Sequence, residues 1–204
     1  MAKTRGIPFI VSAPSGAGKT TLCNRAVEFF PGMRHSISYT TRKPRAGERD
    51  GVEYRFINDA AFERMVGDGE FLECAGVHGK RYGTSRKDIE ALLSEGFDAL
   101  LDIDVQGAAK ARQTLQGGVY IFILPPSLEA CRQRLNSRGK DSTEEIERRI
   151  KTAVTEIGRA REYDYIIIND NLDTAFEKLK SIIISEKARK ERMMDRVTGL
   201  FGRT

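Results

Sequence analysis

Short apolar runs rich in β-branched residues alternate along the chain with longer stretches in which apolar residues recur every three or four positions. Runs of the first kind are typical of buried strands, and stretches of the second kind are typical of helices with one buried face. The predicted strands are 7–11, 99–103, 119–124 and 165–168, and the predicted helices are 19–30, 127–135, 144–157 and 172–187. This alternation predicts an α/β fold in which a mostly parallel sheet is flanked by helices.

The pattern changes between residues 37 and 86, where short strand-like pieces are separated by glycines. The pieces cover 53–56, 71–77 and 81–82, and they surround one short helix. Such a segment is typical of a small mixed α/β unit. We therefore expect a core formed by residues 1–36 and 87–204, with an inserted lobe formed by residues 37–86.

The composition suits one compact domain in a reducing compartment. The chain has 204 residues, of which 40% are hydrophobic and 31% charged, and it contains no apolar run of the roughly 18 residues that a membrane span needs. Cys23, Cys74 and Cys131 lack the spacing of a metal site, so we expect reduced structural thiols and a cytoplasmic protein. The net charge of +5 is compatible with nucleic acid, a membrane surface or small polyanionic substrates.

A phosphate-binding loop follows the first predicted strand and opens the first predicted helix. Glycines let backbone N–H groups surround phosphate oxygens, the helix N-terminus adds positive potential, and a lysine supplies a full charge. Alanine occupies the position where the usual G-x-x-x-x-G-K-[ST] pattern has its first glycine. The segment reads Ser12, Ala13, Pro14, Ser15, Gly16, Ala17, Gly18, Lys19, Thr20.

The strand at 99–103 carries carboxylates at its end, at Asp102 and Asp104. In enzymes with a phosphate-binding loop, a carboxylate in this position helps to hold the metal ion, and the Thr20 hydroxyl can bind the same ion. An aspartate that simply precedes a turn is the alternative, and the loop at 12–20 favours the metal site.

Two groups of arginines could neutralise phosphate charge. Arg42 and Arg45 flank Pro44, which excludes a helix there, so their guanidinium groups project from an irregular segment. The second group is Arg134, Arg138, Arg148 and Arg149. A solvated basic surface is the alternative for the first group, and a salt-bridged surface helix is the alternative for the second.

The arginines of the second group surround a predicted loop and helix that could close over ATP. The helix is expected to bury Ile146, Ile150, Val154 and Ile157, which leaves Arg149 beside the buried stripe. We expect residues 136–150 to form a helical and loop lid.

Six segments, in this order, make the chain resemble the guanylate kinase family over nearly its whole length. They are SAPSGAGKTTL, SISYTTRKPRAGERDGVEY, FLECAGVHGKRYGTS, LLDIDVQG, RLNSRG and IIIND. The resemblance implies a P-loop NTPase-type fold over about residues 5–187, in which the inserted lobe binds GMP. It implies Mg²⁺-dependent transfer of the γ-phosphoryl group of ATP to GMP or dGMP, giving ADP and the diphosphate.

The resemblance also implies roles for individual residues. The implied catalytic residues are Lys19, Arg42, Arg138 and Arg149. The implied ATP-binding residues are Ala13, Pro14, Ser15, Gly16, Ala17, Gly18, Lys19, Thr20, Thr21, Arg134, Arg138 and Asn169. The implied GMP-binding residues are Ser38, Arg42, Arg45, Tyr54, Glu73, Tyr82, Thr84 and Asp104. The implied metal contacts are Thr20 and, through water, Asp102.

Glu73 carries a physical reason for a guanine substrate. Guanine presents N1–H and its 2-amino group side by side, and a carboxylate can accept both hydrogen bonds. Adenine has an acceptor at N1, so the carboxylate would face a lone pair and stay unpaired, which costs about 1–3 kcal/mol or more. A surface glutamate on an edge strand is the alternative for this residue taken alone.

Three other functions compete with this one. A phosphate-loop kinase with a different acceptor is disfavoured by Glu73 together with Ser38, and a binding-only scaffold module is disfavoured by the complete set of phosphate-binding residues. Nucleic-acid and membrane partners are not expected, because nucleotide phosphates account for many of the positive residues. His35 and His78 are expected to be structural or solvent-facing. The sequence leaves the oligomeric state open.

Overall fold

The computed structural model describes residues 4–77, 79–137 and 142–202. The strands are β1 (Pro8–Ser12), β2 (Met33–His35), β3 (Tyr39–Thr40), β4 (Arg55–Phe56), β5 (Phe71–Val77), β6 (Lys80–Ser85), β7 (Asp98–Asp102), β8 (Val119–Leu124) and β9 (Tyr165–Ile168). The helices are α1 (Lys19–Phe29), α2 (Asp59–Gly67), α3 (Arg86–Ser94), α4 (Val105–Thr114), α5 (Leu128–Asn136), α6 (Thr143–Ile157), α7 (Leu172–Lys187) and α8 (Lys190–Phe201).

The larger sheet has five strands in the order β2-β7-β1-β8-β9, and neighbouring strands are parallel. Its central strand β1 is buried at every position, as expected for a strand covered on both faces. Side chains of α1 and α7 pack on one face, and side chains of α3 and α4 pack on the other. The predicted fold class, a parallel sheet flanked by helices, is confirmed.

The smaller sheet has four strands in the order β4-β3-β6-β5. Strands β3 and β4 are parallel, whereas β6 is antiparallel to both of its neighbours. Helix α2 packs against this sheet through Phe62, whose ring centroid lies 4.7 Å from that of Phe71. Arg81 lies over the Phe62 ring and pairs with Asp59 and Glu63, so α2 is held by both apolar and ionic contacts.

Two details differ from the sequence prediction. The larger sheet has a fifth strand, β2, whose three residues are too few to show a hydrophobic period. Helix α6 buries Ile146, Ile150 and Ala153, whereas Val154 is 52% exposed. At 100° per residue, position 153 returns to the face of position 146 after seven residues, and position 154 turns away from it. The alanine was missed because its side chain is small.

None of the helices in the described parts of the chain is long and apolar enough to cross a lipid bilayer.

Candidate active site

The loop between β1 and α1 requires glycine at two positions. Gly16 and Gly18 have φ angles of 85° and 91°, in the left-handed region that residues with a β-carbon avoid. A β-carbon at Gly16 would lie 3.1 Å from the Cys131 Sγ, and one at Gly18 would collide with the Asn169 amide. These glycines place the loop directly before the N-terminus of α1, where backbone N–H groups favour an anion.

Side chains from the C-terminal half of the chain hold the loop through its carbonyl groups. Asn169 is only 4% exposed, and its Nδ2 donates to the Ala17 carbonyl at 2.8 Å. Arg134 donates to the Asn169 carbonyl at 2.8 Å and to the Ala17 carbonyl at 3.5 Å. The Cys131 thiol donates to the Ser15 carbonyl at 2.6 Å. These bonds pair carbonyl oxygens that would otherwise repel a nearby phosphate.

Two residues predicted to bind ATP therefore bind the phosphate-binding loop itself. Asn169 and Arg134 both donate hydrogen bonds to the Ala17 carbonyl of the loop. Their contact with ATP stays a prediction. The loop also closes on itself, since the Ala17 N–H donates to the Pro14 carbonyl at 3.2 Å.

Lys19 joins the loop to the end of β7. Its ammonium forms an ion pair with Asp102 and donates to the Ile103 carbonyl at 3.3 Å. Thr20 is exposed, and it lines the same cleft as Asp102. A hydroxyl and a carboxylate that face open space are oxygen donors of the kind Mg²⁺ prefers, with room for the waters that it keeps. The residues present therefore fit a magnesium ion bound together with nucleotide phosphates.

A cleft of about 630 Å³ extends from this loop to the smaller sheet. Its volume lies within the usual range for sites that bind small molecules, roughly 300–1,000 Å³. The lining residues are Lys19, Thr20, Asn24, His35, Ser36, Ser38, Val52, Glu53, Tyr54, Glu73, Ala75, Tyr82, Asp102, Ile103 and Asp104. The cleft thus brings together residues predicted for the metal and residues predicted for the acceptor.

A buried carboxylate lies at the far end of the cleft. Glu73, on β5, is only 7% exposed, and its Oε1 accepts a hydrogen bond from the Thr84 hydroxyl on β6 at 2.7 Å. Burial raises the pKa of Glu73 and the nearby Asp104 carboxylate raises it further, whereas the Thr84 hydroxyl and the Lys110 ammonium oppose the rise. Because a buried polar group needs partners, a base with two adjacent donors would complete this site.

Arg42 is held in position by a carboxylate and an aromatic ring. Both terminal nitrogens of the Arg42 guanidinium donate to the Glu48 carboxylate, at 2.8 and 2.9 Å, in a two-point contact. Its guanidinium carbon lies 5.2 Å from the ring centroid of Tyr54, and the Tyr54 and Tyr82 rings meet edge to face at 5.8 Å. The hydrogen bonds to Glu48 raise the pKa of Arg42, so the guanidinium stays charged.

The other predicted site residues are distributed as follows. Arg45 is exposed, and its backbone N–H donates to Glu48 at 2.7 Å. Asp104 caps α4 by accepting from the Gly107 N–H at 2.7 Å, although it also lines the cleft. Thr21 is exposed.

The predicted lid is described in part. Arg149 is half-buried on α6. Arg138 and the lid positions 138–141 lie outside the described residues, as does His78.

His35 lines the cleft, with its Nε2 3.1 Å from the Asn24 Oδ1. Burial lowers the pKa of His35, which favours the neutral ring. A structural role for His35 stays a prediction.

Two acidic residues of the site were missed by the sequence analysis. Glu48 could have been found from the spacing to Arg42, but charged pairs in irregular segments give no periodic signal. Glu156 lies on α6, seven residues after Arg149 and on the same flank of the helix. Burial raises the pKa of Glu156 and the Asp104 carboxylate adds to the rise, whereas Lys19 and the Ser15 backbone N–H lower it. This residue therefore faces the phosphate-binding loop.

The fold is α/β with a parallel sheet, and a glycine-rich loop joins a buried strand, β1, to the following helix, α1. Together these features define a nucleotide-binding protein of the P-loop class. The guanylate kinase family model matches residues 5–186, and the chain belongs to this family.

Relatives match over nearly the whole chain. It is 52% identical to the guanylate kinase of Geobacter metallireducens over 199 residues, which is 98% of each chain. It is 46% identical to that of Caldanaerobacter subterraneus over 193 residues, covering 95% of this chain and 94% of the relative. The crystal structure of guanylate kinase from Anaplasma phagocytophilum aligns with a TM-score of 0.78 and 32% identity, covering 100% of both chains.

The Asn169 contact generates a prediction for the stability of the loop. Asn169→Asp replaces the donor that meets the Ala17 carbonyl with an acceptor, so two oxygens would face each other in a buried position. We expect the free energy of unfolding to fall by about 1–3 kcal/mol, as for other buried groups left unpaired. Urea unfolding followed by circular dichroism measures this change.

Asn171→Asp is the matched control for this substitution. Asn171 caps α7 by accepting hydrogen bonds from the N–H groups of Asp173 and Thr174, and an aspartate can accept them equally well. Equal losses of stability in the two variants would contradict the role assigned to the Asn169 amide.

Proposed function

We propose that the protein transfers the γ-phosphoryl group of ATP to GMP, giving ADP and GDP. The observation that carries the proposal is a single cleft with a phosphate-binding loop at one end and the buried carboxylate of Glu73 at the other. Membership of the guanylate kinase family supports both the reaction and the acceptor.

The donor end is proposed to bind ATP through the loop at residues 13–20. Lys19 would exchange its contact with Asp102 for phosphate oxygens, and the N-terminus of α1 would add its positive potential. Asn169 and Arg134 would hold the loop in the shape that presents its N–H groups. Arg138 and Arg149 of the proposed lid, residues 136–150, would add positive charge when ATP is bound.

The acceptor end is proposed to bind GMP in the lobe formed by residues 37–86. Glu73 would accept hydrogen bonds from N1–H and the 2-amino group of guanine, with Ser38, Thr84 and Asp104 beside the base. Arg42, Arg45, Tyr54 and Tyr82 would bind the phosphate. The Glu48 contact fixes the Arg42 guanidinium in advance, so little side-chain entropy is lost when the phosphate binds.

The chemical step is proposed to need positioning and charge neutralisation. The acceptor is a phosphate oxygen that is already anionic, so no residue has to remove a proton from it. The residues of the cleft and the proposed lid would bring two anionic nucleotides into line and offset their mutual repulsion. Thr20 and, through water, Asp102 would hold Mg²⁺, which supplies further neutralisation of phosphate charge when bound.

We propose that the reaction takes place in the cytoplasm, where ATP is available and thiols stay reduced. All three cysteines lie in the described residues, and none of them forms a disulfide. A nucleic-acid partner is not proposed, because cationic residues near the C-terminus have acidic partners within the chain. Lys187 pairs with Asp98, and Arg189 and Arg192 pair with Glu186.

Steady-state kinetics with Mg·ATP and GMP, AMP, UMP or CMP test the proposed function. We expect GMP to be the preferred acceptor by several orders of magnitude in kcat/KM, because a site built for a hydrogen-bonding partner rejects analogues that lack it by about 10⁴–10⁵. Glu73→Gln should reduce the preference, since an amide cannot accept both hydrogen bonds. Equal use of AMP and GMP by the native protein would refute the assigned acceptor.

Lys19→Met tests the donor end. The substitution removes the ammonium that would bind the phosphates, and we expect kcat to fall by at least about 100- to 1,000-fold, as when other preorganised charge-stabilising donors are removed. Coupled detection of ADP measures the rate. Lys178→Met, at an exposed position on α7, is the matched control and should leave the rate unchanged. Near-normal turnover of the Lys19 variant would exclude the proposed role.

The pH profile of kcat/KM for GMP tests the ionisation of Glu73. Only the carboxylate can accept both guanine donors, so kcat/KM should fall as the pH drops through its pKa, which burial raises. Thr84→Val removes the hydrogen bond that lowers this pKa, so the fall should move to higher pH. At saturating GMP the base covers Glu73, so the pH profile of kcat/KM for ATP should be the same in the native protein and in the Thr84→Val variant. An unmoved profile for GMP would show that Glu73 does not control binding.

A further inference from the structure

Gly107 lies against the carboxylate of Glu73. It is the third residue of α4, and a β-carbon built there would stand 2.8 Å from Glu73 Oε2 and 3.1 Å from Glu73 Cδ. The same β-carbon would lie 3.3 Å from Asp104 Oδ1, which accepts the Gly107 N–H. Real β-carbon contacts are longer than 3.0 Å, so the glutamate could not keep its position beside an alanine.

The other side of the carboxylate is fixed as well. Thr84 on β6 donates to Glu73 Oε1 at 2.7 Å, while Gly107 leaves the space that Oε2 occupies. One oxygen is therefore held by a hydrogen bond from the smaller sheet, and the other occupies space that a β-carbon on a helix of the core would fill. The plane of the carboxylate depends on both, and a two-point contact with a base depends on that plane.

We propose that Gly107 is a positioning residue for guanine recognition, because its missing side chain lets Glu73 present both carboxylate oxygens to the base. This inference rests on the proposed function. A β-carbon at position 107 would tilt or displace Oε2 while leaving the charge of Glu73 in the cleft. It would weaken the pair of hydrogen bonds to guanine more than it would weaken a single one.

The fold itself should tolerate the β-carbon. Gly107 is not among the glycines with a positive φ angle, so its backbone suits any L-residue. Alanine is the better helix former, and its N–H can still donate to Asp104. The atom that must move is the end of a glutamate side chain, which can rotate. Stability and substrate recognition are therefore expected to respond in opposite directions.

Steady-state kinetics of Gly107→Ala with GMP and with IMP, which lacks the 2-amino group, test the proposal. We expect the KM for GMP to rise about tenfold, the size expected when part of a charge-assisted hydrogen-bond pair is lost. The KM for IMP should rise less and kcat should change little, so the preference for GMP over IMP should shrink. The thermal unfolding midpoint should stay or rise.

Gly199→Ala is the matched control, since Gly199 lies in helix α8 and a β-carbon there would meet no atom within 4 Å. It should leave both KM values unchanged.

A double-mutant cycle tests whether Gly107 acts through Glu73. Glu73→Asp shortens the side chain and frees the space at position 107, so adding Gly107→Ala to this variant should raise the KM for GMP by much less than tenfold. Additive effects, equal rises for GMP and IMP, or an unchanged KM for GMP would each overturn the proposal. A native protein that does not phosphorylate GMP would instead refute the proposed function.

Discussion

The site depends on how the carbonyl groups of one loop are held. A loop that binds phosphate through backbone N–H groups must keep its carbonyl oxygens paired elsewhere, because an unpaired oxygen would repel the anion. Here the Ala17 carbonyl is bonded by Asn169 and Arg134, and the Ser15 carbonyl by Cys131. Residues more than 100 positions away along the chain therefore fix the loop. The parallel sheet makes this possible, since β9 ends directly before Asn169.

Opposite charges hold two cationic side chains of the candidate site. Lys19 contacts Asp102, and Arg42 contacts Glu48. Each pair is partly exposed, so its net contribution to folding is small. Under the proposed function its effect on binding would be larger, because a side chain that is already ordered loses less entropy when it binds a phosphate. The acidic partners would then serve positioning more than stability.

Strongly periodic elements could be predicted from the sequence, and elements defined by tertiary contacts could not. The predicted strands 119–124 and 165–168 match β8 and β9 because runs rich in β-branched residues favour strands over helices. The membership of the guanylate kinase family is confirmed. Glu48 and Glu156 were missed because their positions depend on contacts between elements rather than on local pattern. The roles of the individual site residues stay predictions.

The six residues from Asp102, at the end of β7, to Gly107 connect the two ends of the cleft. At its start, Asp102 and the Ile103 carbonyl contact Lys19, beside the phosphate-binding loop. At its end, Asp104 caps α4, and Gly107 in the first turn of that helix lies against Glu73. Because a capped helix turn is rigid, the segment links the position of Lys19 to that of Glu73. Phosphoryl transfer between two nucleotides requires positioning above all, and under the proposed function this short stretch of backbone would contribute to it.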